Sequence, residues 1–314
     1  MPNGPQGEAY LGLGIVEAAA GRHEEAVRLY RQAAALGNSN AMLNLGFTLG
    51  SGRVGPKDQV EEVRWYRRSA ALGNPEAMFN LGIMFERGKG VAPDGPTAVE
   101  WYRRAAEGGS REALNGLAEI YMTGRVVPKD PKTARSWYRK AAEAEHPRAM
   151  YNLALLLTTG LGGHQDSEEG LVWYRRAANA GEPNAMDTLG TFLAAGQLGV
   201  AKDPKEAVLW FRRAAEVGHP GGLFHLGLAH ENGLGVPKNS PEALRLYRRA
   251  AELDNPSGML GLGRALVSGL GTTKDLEEGA SWLRRAAQTD ERRIRDAARR
   301  TLQGLALNRG GGGR

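Results

Sequence analysis

The chain contains no cysteine, and this absence excludes disulfide bonds, thiolate zinc sites and catalysis by a cysteine nucleophile. It also contains no run of about 18 consecutive apolar residues, so we predict no membrane-spanning helix. The N-terminal residues show neither the basic start nor the apolar stretch of a secretory signal. We therefore expect a cytoplasmic protein, or a piece of a longer protein.

The net positive charge is small outside the C-terminal end. The formal net charge is +6, but from residue 289 onward seven arginines face three acidic residues, which leaves only +2 on the rest of the chain. Phosphate recognition needs concentrated positive charge. The charge distribution therefore argues against nucleic acid as the partner.

The sequence does contain a repeat. All six tryptophans open the phrase Trp-aromatic-basic-basic-small-Ala or a close variant, separated by 36, 36, 36, 37 and 72 residues: Trp65, Trp101, Trp137, Trp173, Trp210 and Trp282. Leu29 and Leu246 stand at the same position in two further copies. Such a period is typical of a solenoid. The eight predicted repeats span residues 7–37, 38–73, 74–109, 110–145, 146–181, 182–218, 219–254 and 255–290.

Each repeat reads as two helices, which we call helix A and helix B. In residues 74–109, Asn74-Pro75 opens helix A, and the apolar residues that follow have helical spacing. Asp94 caps helix B, and glycine ends it at Gly109. An acid three residues after the helix B cap gives five copies a capping-box-like pattern. Glycine or alanine recurs inside helix A, which predicts that another helix packs closely there.

The C-terminal residues predict a cap on the array. Ile294, Ala298, Leu302 and Leu305 form an apolar stripe among arginines, so we expect an amphipathic capping helix over 291–308. We predict a disordered tail for residues 309–314.

The repeated phrases resemble those of the Sel1-like repeat proteins, a branch of the tetratricopeptide-like α-solenoids. The matching phrases are Ala-Met-x-Asn-Leu-Gly (41–46 and 77–82), Gly-x-Gly-Val (88–91 and 233–236) and Trp-Tyr-Arg-Arg-Ala-Ala (101–106 and 173–178). The first copy lacks the glycine loop and is closer to an ordinary tetratricopeptide unit. The resemblance implies an all-α, right-handed superhelix whose A helices line a concave groove. It also implies an adaptor that gathers other proteins.

Two series of residues recur at fixed positions on helix B: the tryptophans, and the paired basic residues, which we call the basic ladder. The tryptophans could form a binding platform, but one fixed position in every copy predicts packing. The paired basic residues that follow them could track phosphates. Acidic residues on the same helices favour a solvated surface with local salt bridges instead.

The favoured binding site lies on helix A, two residues before the recurring small residue. Asparagine there offers a donor and an acceptor to the backbone of a bound peptide. The preceding residue is often large and apolar, which predicts side-chain pockets. The predicted partner-binding residues are Asn44, Phe79, Asn80, Tyr151, Asn152, Thr188, Phe224 and His225. The alternative is that the asparagines are structural and bond loops of the next repeat.

No arrangement typical of an active site is present in the sequence. His225 and His230 are five residues apart and do not share a helix face, whereas metal-binding helical pairs use a spacing of four. His230 stands where other copies have core residues. The Gly-x-Gly loops follow helices and not strands, so they are not dinucleotide fingerprints. We predict no enzyme activity, no metal and no cofactor.

The sequence thus predicts a monomeric, non-enzymatic scaffold that binds a protein or peptide in the groove. Two alternatives stay open. The chain could be a regulatory domain of a larger polypeptide, controlling a linked enzyme or DNA-binding segment. It could also bind nucleic acid along the arginines, which would make binding collapse steeply with salt.

Overall fold

The computed structural model describes residues 4–310, with side chains described through residue 306. Within that range the chain forms seventeen α-helices and no β-strand, which confirms the all-α prediction. The helices are α1 (Pro5–Ala19), α2 (His23–Ala35), α3 (Ser39–Ser51), α4 (Gln59–Ala71), α5 (Pro75–Arg87), α6 (Gly95–Glu107), α7 (Arg111–Thr123), α8 (Pro131–Glu143), α9 (Pro147–Thr159), α10 (Ser167–Asn179), α11 (Pro183–Ala195), α12 (Pro204–Glu216), α13 (Pro220–Asn232), α14 (Ser240–Glu252), α15 (Pro256–Ser268), α16 (Leu276–Ala286) and α17 (Arg292–Gly310).

The described chain divides into two compact units. Unit 1 comprises residues 4–156 and 160–165, and unit 2 comprises residues 157–159 and 166–310. Odd-numbered helices from α1 to α15 are A helices, and even-numbered helices from α2 to α16 are B helices. In unit 1 the helices from α1 to α8 pack in chain order, each against the next, and the same holds in unit 2 from α10 to α17. Each unit is therefore a stack of helical hairpins.

Local signals fix where the helices begin and end. Asp58, Asp94, Asp130, Asp166, Asp203, Asn239 and Asp275 each accept a hydrogen bond from a backbone N–H in the first turn of a B helix. The B helices exit through a left-handed residue, which is glycine at Gly37, Gly73, Gly109, Gly181 and Gly218. Glu145 and Asp254 adopt the same left-handed conformation in the fourth and seventh repeats, with φ of 61° and 57°. The B helix of the eighth repeat, α16, is followed instead by Ala287, with φ of −74°.

The small residue inside helix A makes room for the aromatic ring of helix B. A Cβ atom added at Gly14, Gly82 or Gly190 would lie 2.6–2.7 Å from the ring of Tyr30, Tyr102 or Phe211, respectively. The predicted close approach of a second helix is confirmed, and that helix belongs to the same hairpin. The aromatic residue is buried in each of these copies.

Helix α17 covers the end of the last hairpin. Ala298 is fully buried and Ile294 nearly so, in a cluster that includes Leu262 and Leu283. Leu302 and Leu305 pack against the same cluster. Most of the tail predicted for residues 309–314 lies outside the described residues, since the description ends at residue 310 within α17.

Candidate functional site

The tryptophans of the B helices are packing residues, as predicted. Trp65, Trp101 and Trp137 each pack against the core cluster between their own hairpin and the preceding one. Trp173 and Trp210 are buried. The indole Nε1 atoms of Trp173, Trp210 and Trp282 donate to Glu169, Glu206 and Glu278, the acids of the capping-box pattern.

Residues of the basic ladder contact tryptophan and glutamate side chains of the same protein. The second basic residue of six pairs lies over the tryptophan of its own repeat, with 4.1–5.2 Å between the cationic centre and the ring centroid: Arg68, Arg104, Lys140, Arg176, Arg213 and Arg285. Arg175 and Arg248, first members of their pairs, form ion pairs with Glu206 and Glu278 of the following repeat. The side chains of this ladder therefore stabilise helix B and its contact with the next repeat.

The predicted partner-binding residues lie on the A helices. We define the A face as the positions two residues before and one residue after the small helix A residue. Its members are Asn44 and Phe47, Asn80 and Ile83, Gly116 and Glu119, and Asn152 and Leu155 in unit 1, and Thr188 and Thr191, His225 and Leu228, and Gly261 and Arg264 in unit 2. The other three predicted residues directly precede members of the A face in the sequence: Phe79 precedes Asn80, Tyr151 precedes Asn152, and Phe224 precedes His225. All eight predicted residues are half-buried.

The A face of one repeat contacts the B-helix aromatic residue of the preceding repeat. Burial and the adjacent Glu62 carboxylate raise the pKa of the Tyr66 phenol, and a hydrogen bond from the Asn80 side chain opposes this rise. His225 stacks on Phe211, with ring centroids 5.1 Å apart. Asn80 thus has a partner in the preceding repeat, whereas the structural alternative expected bonds to loops of the next repeat.

Glycine leaves the aromatic ring less covered. A Cβ atom at Gly116 would lie 3.4 Å from Tyr102, and one at Gly261 would lie 3.0 Å from Tyr247. Phe79 and Phe224 extend the same surface, because their rings lie 5.5 Å from Tyr102 and 5.7 Å from Tyr247. Phe79 and Phe224 therefore form aromatic pairs with helix B of their own repeats.

Unit 2 has two neighbouring cavities between its A helices, each of about 270 Å³. The first lies between α11 and α13 and has Phe211 and His225 in its lining. The second lies between α13 and α15 and has Tyr247 and Phe224 in its lining. Leu228 lines both. Of the eight predicted residues, His225 and Phe224 line these cavities.

The three histidines of this region have separate roles. His219 caps α13, because its Nδ1 accepts from the Gly222 N–H at 3.1 Å. The Nδ1 atom of His225 lies 2.7 Å from Asp187 Oδ1, across the repeat boundary. The Nδ1 atom of His230 is buried without a hydrogen-bond partner. Among the described residues, no three His, Cys, Asp or Glu side chains group as a metal site.

Several residues of the cavities were missing from the sequence prediction. Asp187, Ala194 and Leu228 shape the region around His225. Phe211 carried a signal in the sequence, since it replaces the tyrosine found at this position in most copies. Asp187 carried none, because its partner is 38 residues away.

Family models match nearly the whole chain. The Sel1 repeat matches residues 39–74, 75–110, 111–146, 147–182, 183–219, 220–255 and 256–288. A tetratricopeptide repeat matches residues 3–41, which confirms the prediction for the first copy. A search of the curated proteins finds no match. None of the described helices is both long enough and apolar enough to cross a membrane.

Solved structures show the same fold. A Sel1 repeat protein from Oxalobacter formigenes has 29% identity and a TM-score of 0.69, with 94% of this chain and 86% of that chain covered. A signal transduction ATPase with a tetratricopeptide repeat sensor from Pyrococcus horikoshii has 16% identity and a TM-score of 0.54. That alignment covers 98% of this chain and 50% of the ATPase chain.

Proposed function

The chain belongs to the Sel1 repeat family, and we propose that it is a non-enzymatic scaffold that captures a segment of a partner protein along its A face. Repeats of this kind generally serve protein–protein interaction. The segment would lie across successive A helices, with its backbone near the polar residues and its apolar side chains in the spaces between helices.

The main observation in support of this proposal is the pair of cavities in unit 2. They open between successive A helices, where a bound segment would place its side chains. Phe47, Leu155 and Leu228 add exposed apolar surface to the A face, with 37–48% of each residue exposed. Exposed apolar residues also occur on B helices, including Val172 and Leu209, so exposure alone would not single out the A face.

The exposed apolar residues of the two helix types allow a matched test. We would compare a Phe47→Glu, Leu155→Glu, Leu228→Glu variant with a Val60→Glu, Val172→Glu, Leu209→Glu variant. The residues of both sets are exposed on helix surfaces, so both variants should fold, as checked by circular dichroism. Each variant and the wild type would then be used to capture proteins from a lysate of the source organism.

A protein retained by the wild type and the B-helix variant, and lost by the A-face variant, is the expected result. Loss in the B-helix variant alone would place the interface on helix B and contradict the proposal. Capture of nucleic acid only, released by a modest rise in salt, would replace the proposal with nucleic-acid binding.

A further inference from the structure

The cavity between α11 and α13, which we call the repeat-6 pocket, lacks a hydrogen-bonded pair that the third and seventh repeats have. In two other repeats the B-helix tyrosine donates its hydroxyl to a glutamate near the end of helix A. These pairs are Tyr102 with Glu86, at 2.9 Å, and Tyr247 with Glu231. The sixth repeat has Phe211 in place of the tyrosine and Ala194 in place of the glutamate. Replacing both partners leaves no unpaired polar group, and the space becomes apolar.

The remaining polar side chains at the repeat-6 pocket already have partners. The Thr191 hydroxyl donates to the backbone oxygen of Asp187 at 3.0 Å. His225 is bonded to the carboxylate of the same residue. The rest of the lining is mostly aliphatic and aromatic, and it includes Ala194, Val208 and Phe211. An occupant would therefore be selected for apolar surface rather than for charge.

The size of the pocket limits the occupant. Its volume of about 270 Å³ lies below the roughly 300–1,000 Å³ of sites for drug-sized molecules. Leu228 and Leu234 also line it, and they are 37% and 48% exposed. Solvent-accessible leucines at the mouth would contact a chain that continues beyond the pocket. A pocket of this size has room for one bulky side chain of a bound segment.

We propose that the repeat-6 pocket receives one bulky apolar side chain, aromatic or leucine-like, from the partner segment. This proposal rests on the proposed function, because it assigns an anchor to a segment on the A face. The neighbouring pocket is more polar, since Glu231, Asn232 and Arg264 line it. The sixth repeat would therefore set the register of the segment.

The test is a titration of the full chain with amino-acid amides, followed by NMR of labelled methyl groups. The probes are N-acetyl-L-phenylalaninamide and N-acetyl-L-leucinamide, with N-acetyl-L-serinamide as the polar control. We expect saturable shifts at the methyl groups of Ala194, Leu228 and Leu234 with the two apolar amides only. Shifts no larger than those caused by the serine amide would overturn the proposal.

Variants test whether binding of the apolar amides depends on the residues of the pocket and not on a loss of folding. The Ala194→Glu, Phe211→Tyr variant copies the pair found in the third and seventh repeats, and it should weaken binding about tenfold or more. Leu234→Asp, at an exposed position, should also weaken binding even if the double variant does not fold. Val172→Glu on α10 should leave it unchanged. Equal binding by all variants would overturn the pocket assignment, whereas the capture experiment above independently decides the proposed function.

Discussion

A Cβ atom at Gly90 would lie 2.1 Å from the carbonyl oxygen of Gln59, the first residue of α4 in the preceding repeat. Gly162 and Gly235 approach the carbonyl oxygens of Pro131 and Pro204 in the same way. The second glycine of the Gly-x-Gly loop is therefore a stacking contact between repeats.

In the fourth repeat the same contact has its glycine on helix B of the preceding repeat and not in the loop. Val126 stands in its loop where the third, fifth, seventh and eighth repeats have the second glycine. The glycine appears instead at Gly95, the first residue of α6. A Cβ atom at Gly95 would lie 2.0 Å from the Val126 carbonyl oxygen. In each of these contacts, one of the two facing residues lacks a side chain.

This contact predicts that Gly90→Ala destabilises the protein more than Gly73→Ala. Both glycines have positive φ, of 67° and 82°, so both substitutions should cost about 1–2 kcal/mol in backbone strain. Gly73 has open space around it, whereas Gly90 meets backbone, which should add about 1–3 kcal/mol. Urea denaturation followed by circular dichroism would measure both. Equal losses would contradict the stacking role.

Two leucines at equivalent positions should differ in their effect on stability. Leu13 and Leu45 each directly precede the small helix A residue, but Leu45 is fully buried and Leu13 is 54% exposed. Leu45→Ala should cost about 2–5 kcal/mol of unfolding free energy, because it opens a cavity in the core. Leu13→Ala should cost less than about 1 kcal/mol. A large loss at Leu13 would show that its face is covered in solution.

His146 makes stability depend on pH. Burial lowers its pKa, and its Nδ1 accepts the Ala149 N–H at 3.2 Å as the cap of α9. The unfolded state, with a pKa near 6.5, then binds protons at higher pH than the folded state. The contribution to stability is therefore complete above about pH 6.5, and it is lost as the pH falls through the lowered folded-state pKa.

The matched variant for this effect is His146→Asn. Asparagine caps α3, α5 and α15 in this chain, so the cap should be kept while the titration is removed. Between about pH 7.5 and about pH 5.5, the wild type should lose more unfolding free energy than the variant. The other histidines are common to both proteins and cancel. Identical losses would rule out a role for His146 in the pH dependence.

Glu145→Gly should stabilise the protein. Glu145 has φ of 61° at a position where most repeats have glycine. Relief of the left-handed strain should exceed the entropy cost of glycine, with a net gain of about 0.5–1 kcal/mol. Asp254→Gly should gain less, because Asp254 also accepts a hydrogen bond from Arg285 at 2.7 Å. Denaturation midpoints of both variants would check the order, and a loss of stability in Glu145→Gly would contradict it.

The sequence alone determined the helices, their order and the repeated hairpin. The signals for these features are local: a cap such as Asp94, a terminating glycine such as Gly109, and apolar residues at helical spacing between them. Because the same signals recur every 36 or 37 residues, each copy supports the interpretation of the others. The position of the favoured site on helix A also followed from this register.

Only the tertiary structure decided what those site residues contact. Asn80 meets Tyr66, and His225 meets Asp187, because stacking brings together residues that belong to successive repeats. The repeat-6 pocket exists because stacking brings Ala194, Phe211 and Leu228 together from three helices. Such contacts depend on how neighbouring copies pack, and a repeat pattern describes what the copies share rather than where one of them differs.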